Sequence, residues 1–115
     1  MKREVGDFIE DIVNAMNKAL KFVEGMSYEE FAKDDKTVFA VVRAIEIIGE
    51  AVKNIPEDIR GKYPEIPWKG MTGMRDKVIH GYFGVDLKVV WDTVKKRIPE
   101  VKPLFERMLE ELGEG

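Results

Sequence analysis

Residues 75–82 read RDKVIHGY and hold three side chains able to do chemistry: the guanidinium of Arg75, the imidazole of His80 and the phenol of Tyr82. His80 is the only histidine among 115 residues. An unperturbed imidazole titrates near pH ~6.5, so it can take up or release a proton at cellular pH. A guanidinium holds a phosphate by two parallel hydrogen bonds. A phenol titrates near pH ~10 and is a poor base at neutral pH. On a regular helix Arg75 and Tyr82, seven apart, share a face, while His80 lies roughly 140° from Arg75. The groups converge only if the helix ends or distorts at HGY, which Gly81 makes easy, or if a second chain completes the site. Gathered at such a helix end, they make a phosphate site.

Other chemistries have less to work with. One histidine and no cysteine leave only carboxylates as further metal ligands, and none stands at a recognisable spacing. No metal and no cofactor is expected. A serine-type triad would need Ser27, the only serine, which is already accounted for as a helix cap.

A second polar cluster lies in RAIEIIGE, where Arg43, Glu46 and Glu50 follow at three- and four-residue steps. The simpler reading is a solvated ladder in which Arg43 offsets two glutamates that otherwise repel. The functional one is a supporting role, with Arg43 and Glu50 orienting Arg75 or a partner chain.

The elements that must position these groups read as helices throughout. Val5, Phe8, Ile9, Ile12, Val13, Met16, Ala19, Leu20 and Val23 make one apolar stripe, closed by Gly25. SYEE is a capping box, with Ser27 at the N-cap and Glu30 at N3. Asp34 or Asp35 caps a helix over about 36–54, whose stripe runs from Val38 to Ile55. Pro56 opens a short turn through Ile59, and GKYPEIP is a loop. A helix over 68–81 carries the motif. Its glycines, Gly70, Gly73 and Gly81, each cost about 1 kcal/mol relative to alanine when interior. A helix that bears this cost implies close approach of another backbone or a ligand, or packing in the core or at a dimer seam. Asp86 caps the last helix, with a core stripe through Leu112 and a basic outer face in KVVWDTVKKR. Pro99 predicts a kink or break near Arg97. With no stretch alternating apolar and polar, the expected fold is all-α: one domain over 1–115, a four- to five-helix up-and-down bundle.

Composition bounds the rest. Hydrophobic residues make up 44% of the chain, enough for one core, and charged residues 36%; the net charge of −3 argues against a large nucleic-acid platform while leaving room for a local site. No apolar run approaches the roughly 20 residues that cross a bilayer, and no signal peptide is visible. A cytoplasmic protein without membrane attachment is expected.

RDKVIHGY matches the R-x-x-x-x-H-x-Y signature of the HepT-like toxins, in the HEPN superfamily of small helical nucleases. The resemblance extends over roughly residues 45–94, with IGEA on one helix, PW before the motif and HGYFGVD after it. It implies a dimeric helical bundle with two motifs close together across a cleft, acting as a metal-independent ribonuclease toxin. It also implies a partner, a small MNT-type nucleotidyltransferase antitoxin that transfers AMP onto the signature tyrosine. By position, Arg75 and His80 take the catalytic places and Tyr82 the modified one. Asp76 stands where many members carry asparagine, which sets a negative charge beside the phosphate-binding arginine.

The chemistry of RNA fits this set. Its 2′-hydroxyl is a built-in nucleophile, so cleavage needs proton transfer, by His80, and charge stabilisation, by Arg75. An alternative of a different class stays open: a non-catalytic helical subunit that binds nucleotide at the motif and docks a nucleotidyltransferase. Asp76 and the mildly acidic balance favour it.

Overall fold

The computed structural model describes residues 4–73 and 86–112. Every regular element among them is helical. In chain order these are α1 (Val5–Phe22), α2 (Tyr28–Lys33), α3 (Asp35–Lys53), α4 (Glu57–Gly61), α5 (68–73), α6 (Leu87–Asp92), a π-helical turn (Thr93–Arg97) and α7 (Ile98–Leu112).

Local sequence accounts for most of these boundaries. The Glu4 N–H donates to the Asp7 carboxylate at 3.1 Å and starts α1. Ser27 and Glu30 close a reciprocal capping box at 3.1 and 2.9 Å. Asp34 caps α3 by accepting from both the backbone N–H and the hydroxyl of Thr37, and those bonds hold its carboxyl below the usual carboxylate range. Asp86 accepts from the N–H groups of Lys88 and Val89 to start α6. Between α1 and α2 the chain reverses through Gly25, at φ 77°, a left-handed conformation that other residues enter at a cost.

The stripes pack into one core. Ile9, Ile12 and Met16 of α1 meet Val41, Ile45 and Val52 of α3 and Phe105 and Met108 of α7, all buried. Phe8 and Asp11 at the start of α1 lie beside Glu50 and Asn54 at the end of α3, so these two helices run antiparallel. At one end of the bundle Tyr28 and Phe31 of α2 pack on Trp91, with ring centroids 6.1 and 5.2 Å apart. At the other, Trp68 stands edge-on to Phe105 at 5.6 Å. The chain therefore runs up and down, as the stripes predicted. Burying one such large apolar side chain contributes about 1.5–3 kcal/mol, against about 0–1 kcal/mol for a surface ion pair. The core, not the many surface charges, holds the helices together.

Pro99 disturbs the helix near Arg97, where a kink or break was expected. The helix neither breaks nor stops near Arg97; it widens. The Ile98 N–H bonds to the Thr93 carbonyl five residues back, making one π turn between α6 and α7. A proline ring crowds the carbonyl four residues before it, here that of Lys95, and a wider turn relieves that crowding without ending the helix. Pro103 then sits inside α7, which runs through it.

The glycines of the motif helix also need restating. A methyl placed on Gly70 would meet only the Cβ of Pro67, at 3.9 Å, and one on Gly73 would meet nothing within 4 Å. Neither glycine serves packing among the described residues. Gly81 lies outside them. Also among the described residues, no helix is long and apolar enough to cross a membrane.

Candidate functional site

Two described features bear on the site: the polar face of α3, and the anchorage of α5, whose sequence leads into the motif two residues after Gly73.

On α3 the structure brings Arg43, Glu46 and Glu50 to one wall of a depression of about 320 Å³ between α1 and α3, with Phe8, Asp11 and Asn54 also lining it. Arg43 Nη1 lies 3.8 Å from Glu46 Oε2, one helical turn away, and the arginine side chain is 70% exposed. That is one rung of the solvated ladder expected of RAIEIIGE, and an exposed pair of this kind contributes little to stability. The same exposure leaves the guanidinium facing solvent at the edge of the depression. Asn54 Nδ2 donates to the Glu50 carbonyl at 3.0 Å and finishes the last turn of α3. Among the described residues no group of three histidines or carboxylates is placed to hold a metal ion.

A second cavity, of about 290 Å³, lies along α5 and is largely apolar, with Ile45, Ile48, Met71 and Val101 in its walls and Thr93 and Arg97 of the π turn beside them.

The anchorage of α5 is a feature that periodicity did not reveal. Trp68 opens the helix, and its indole N–H points at two backbone carbonyls, Arg60 at 3.2 Å and Tyr63 at 3.1 Å. The Arg60 guanidinium lies 5.7 Å from the Trp68 ring centroid. Its Nη2 and Nε donate to the carbonyls of Val52, at 2.8 Å, and Ile55, at 2.9 Å. The Val52 carbonyl belongs to the last turn of α3, where it also accepts from the Ile55 N–H at 3.1 Å, and a cation there is favoured by the helix dipole. Thr72 Oγ1 donates to the Trp68 carbonyl at 3.0 Å. Beside this knot the Tyr63 hydroxyl donates to the Glu111 carboxylate, which together with burial raises the phenol above its ordinary pKa. The residue words for this knot stood in the sequence, as PEDIRGKYPEIPW, but nothing in their spacing shows where an arginine side chain goes.

The expected site residues Arg75, Asp76, His80 and Tyr82 lie outside the described residues.

The chain matches the family model described as "Ribonuclease HepT-like" over residues 12–108. It is 53% identical over 108 residues to a "Probable ribonuclease HepT" of Thermococcus cleftensis, covering 94% of this chain and 98% of that protein. It is 50% identical over 113 residues to a "Putative RNase" of Methanocaldococcus jannaschii, covering 98% of this chain and 97% of that one. No solved structure matches. A family match across most of the chain, relatives aligned nearly end to end and an all-helical bundle agree: this chain belongs to the HepT-like ribonuclease family.

Proposed function

We propose that the protein is the toxin of a toxin–antitoxin pair, an endoribonuclease that cleaves RNA through Arg75 and His80 without a metal ion. The observation that carries this reading is the R-x-x-x-x-H-x-Y signature at 75–82 in a chain of the HepT-like ribonuclease family. His80 accepts the proton of the RNA 2′-hydroxyl as that oxygen attacks phosphorus. The P–O5′ bond breaks, and the leaving 5′-oxygen takes a proton from the imidazolium of a second protomer. The products are a 2′,3′-cyclic phosphate and a 5′-hydroxyl. Arg75 balances the charge that builds on the phosphoryl oxygens. Proton transfer of this kind contributes about 10²–10⁴-fold, so loss of His80 is severe. Arg43 and Glu50 support the site from α3, with Asp76 beside the motif arginine tempering phosphate affinity.

The protein works as a homodimer in the cytoplasm, and an MNT-type nucleotidyltransferase silences it by adding AMP to Tyr82. The decisive test incubates purified protein with RNA, with and without chelator. Cleavage that persists in chelator and disappears in His80→Ala and Arg75→Ala, both still folded by circular dichroism, supports the reading. Cleavage by either variant at the parent's rate overturns the site. Nucleotide binding with no cleavage by the parent points instead to a non-catalytic docking subunit, the class that Asp76 and the net charge of −3 favour.

A further inference from the structure

We propose that Arg60 and Trp68 form a clamp that fixes the start of α5 against α3, and are positioning residues of the nuclease site. The inference rests on the ribonuclease reading for its catalytic consequence, and on geometry for the clamp itself. Trp68 is the first residue of α5 and precedes Arg75 by seven positions and His80 by twelve. Where its backbone is held, the entry of the motif segment is held.

Three kinds of contact hold it. The indole N–H bonds to the Arg60 and Tyr63 carbonyls. The ring stands edge-on to Phe105 of α7. Arg60 covers the ring and, through two of its nitrogens, grips the Val52 and Ile55 carbonyls at the end of α3. One guanidinium thus ties the start of the motif helix to the helix that carries Arg43 and Glu50, and Val52 is two residues from Glu50. The planar fork suits this role. A lysine can reach one carbonyl as a point charge, but it cannot bond both from a fixed plane while covering an indole. A group placed about 1 Å wrong costs catalysis up to about 100-fold even when everything else is intact, so a clamp of this kind is read in turnover.

The test compares the parent with Arg60→Lys, Trp68→Phe and a control, Arg107→Lys. Arg107 also covers an aromatic ring, Tyr63 at 5.8 Å, and pairs with Glu65 at 3.6 Å, but among the described residues no contact of it joins α3 to α5. Trp68→Phe keeps an aromatic ring for Phe105 and removes the N–H bonds together with one ring of the indole. Three quantities are measured: kcat and KM on RNA, the thermal midpoint, and the NMR signal of the His80 imidazole, which is unambiguous because the chain has one histidine. Both clamp variants are expected to lower kcat by about 10- to 100-fold with little change in KM. They are expected to shift the His80 signal and to lose kcat well beyond any loss of folded protein at the assay temperature, while the control keeps the parental kcat and signal. Unchanged kcat with an unmoved His80 signal overturns the clamp, as does activity lost only in step with folded protein. A parent that cleaves no RNA overturns the nuclease reading instead, and the His80 signal then decides the clamp alone.

Discussion

Two phenols of this chain carry different roles, one proposed and one structural. In the proposed mechanism Tyr82 takes no part in proton transfer, which falls to His80. As the acceptor of AMP it would gain a phosphodiester with one negative charge, placed by sequence near Arg75, which occupies the guanidinium and repels the RNA phosphate. Tyr82→Phe is therefore expected to keep most of the cleavage activity and to escape neutralisation. Intact-mass spectrometry after co-expression with the nucleotidyltransferase checks it: AMP additions on the parent and none on Tyr82→Phe are expected, and AMP on another residue refutes the assignment. Tyr63 is structural. Its neutral hydroxyl donates to Glu111, and ionising it would lose that bond and set two anions side by side, so folding raises its pKa above 10.0. A raised folded-state pKa gives stability that is complete below the unfolded value and lost as pH climbs through the folded one. The thermal midpoint of the parent should fall from about pH 10 upward more steeply than that of Tyr63→Phe; parallel curves would remove Tyr63 from the alkaline transition.

Among the elements, the α1–α2 connection is where one residue type matters most. Gly25 holds φ 77° with no atom within 4 Å of where a Cβ would go, so the cost of a side chain there is conformational and not steric contact with neighbours. Gly25→Ala should destabilise the bundle by about 1–2 kcal/mol, read from urea denaturation with an unchanged slope. Gly73→Ala makes the instructive contrast. Its added methyl meets nothing among the described residues, and alanine favours a helix by about 1 kcal/mol over glycine. Within one protomer it should stabilise; if it lowers activity or weakens dimers instead, the glycine serves a ligand or a second chain.

For the molecule as a whole the open question is assembly. The spacing of the motif's polar groups would not bring them together on one regular helix, the proposed mechanism uses two imidazoles, and each chain has a single histidine. We infer a homodimer whose seam includes the segment 68–81. Light scattering at micromolar concentration is expected to give twice the 13.2 kDa chain mass, and a monomeric mass contradicts it.

Much of this bundle was legible in the chain because helices are local. The three- and four-residue apolar steps, the Ser27–Glu30 box, the Asp34 and Asp86 caps and Gly25 each act within about one turn, so their residue types suffice. The family was legible too, since RDKVIHGY and its flanking words are themselves the signal. Other features depended on groups distant in sequence meeting in space. Tyr63 and Glu111 are 48 residues apart, and their hydrogen bond exists only because α7 returns past the loop after α4. Arg60 could have pointed to solvent like Arg43; only the end of α3, whose carbonyls and helix dipole attract a cation, turns it inward. Pro99 announced a disturbance, but the packing of Val94 and Ile98 into one core favoured a π turn over a break, because a break would have exposed both. Periodicity could say which face of each helix is apolar. Which faces meet, and which side chain ties them, was decided by burial and hydrogen bonding in three dimensions.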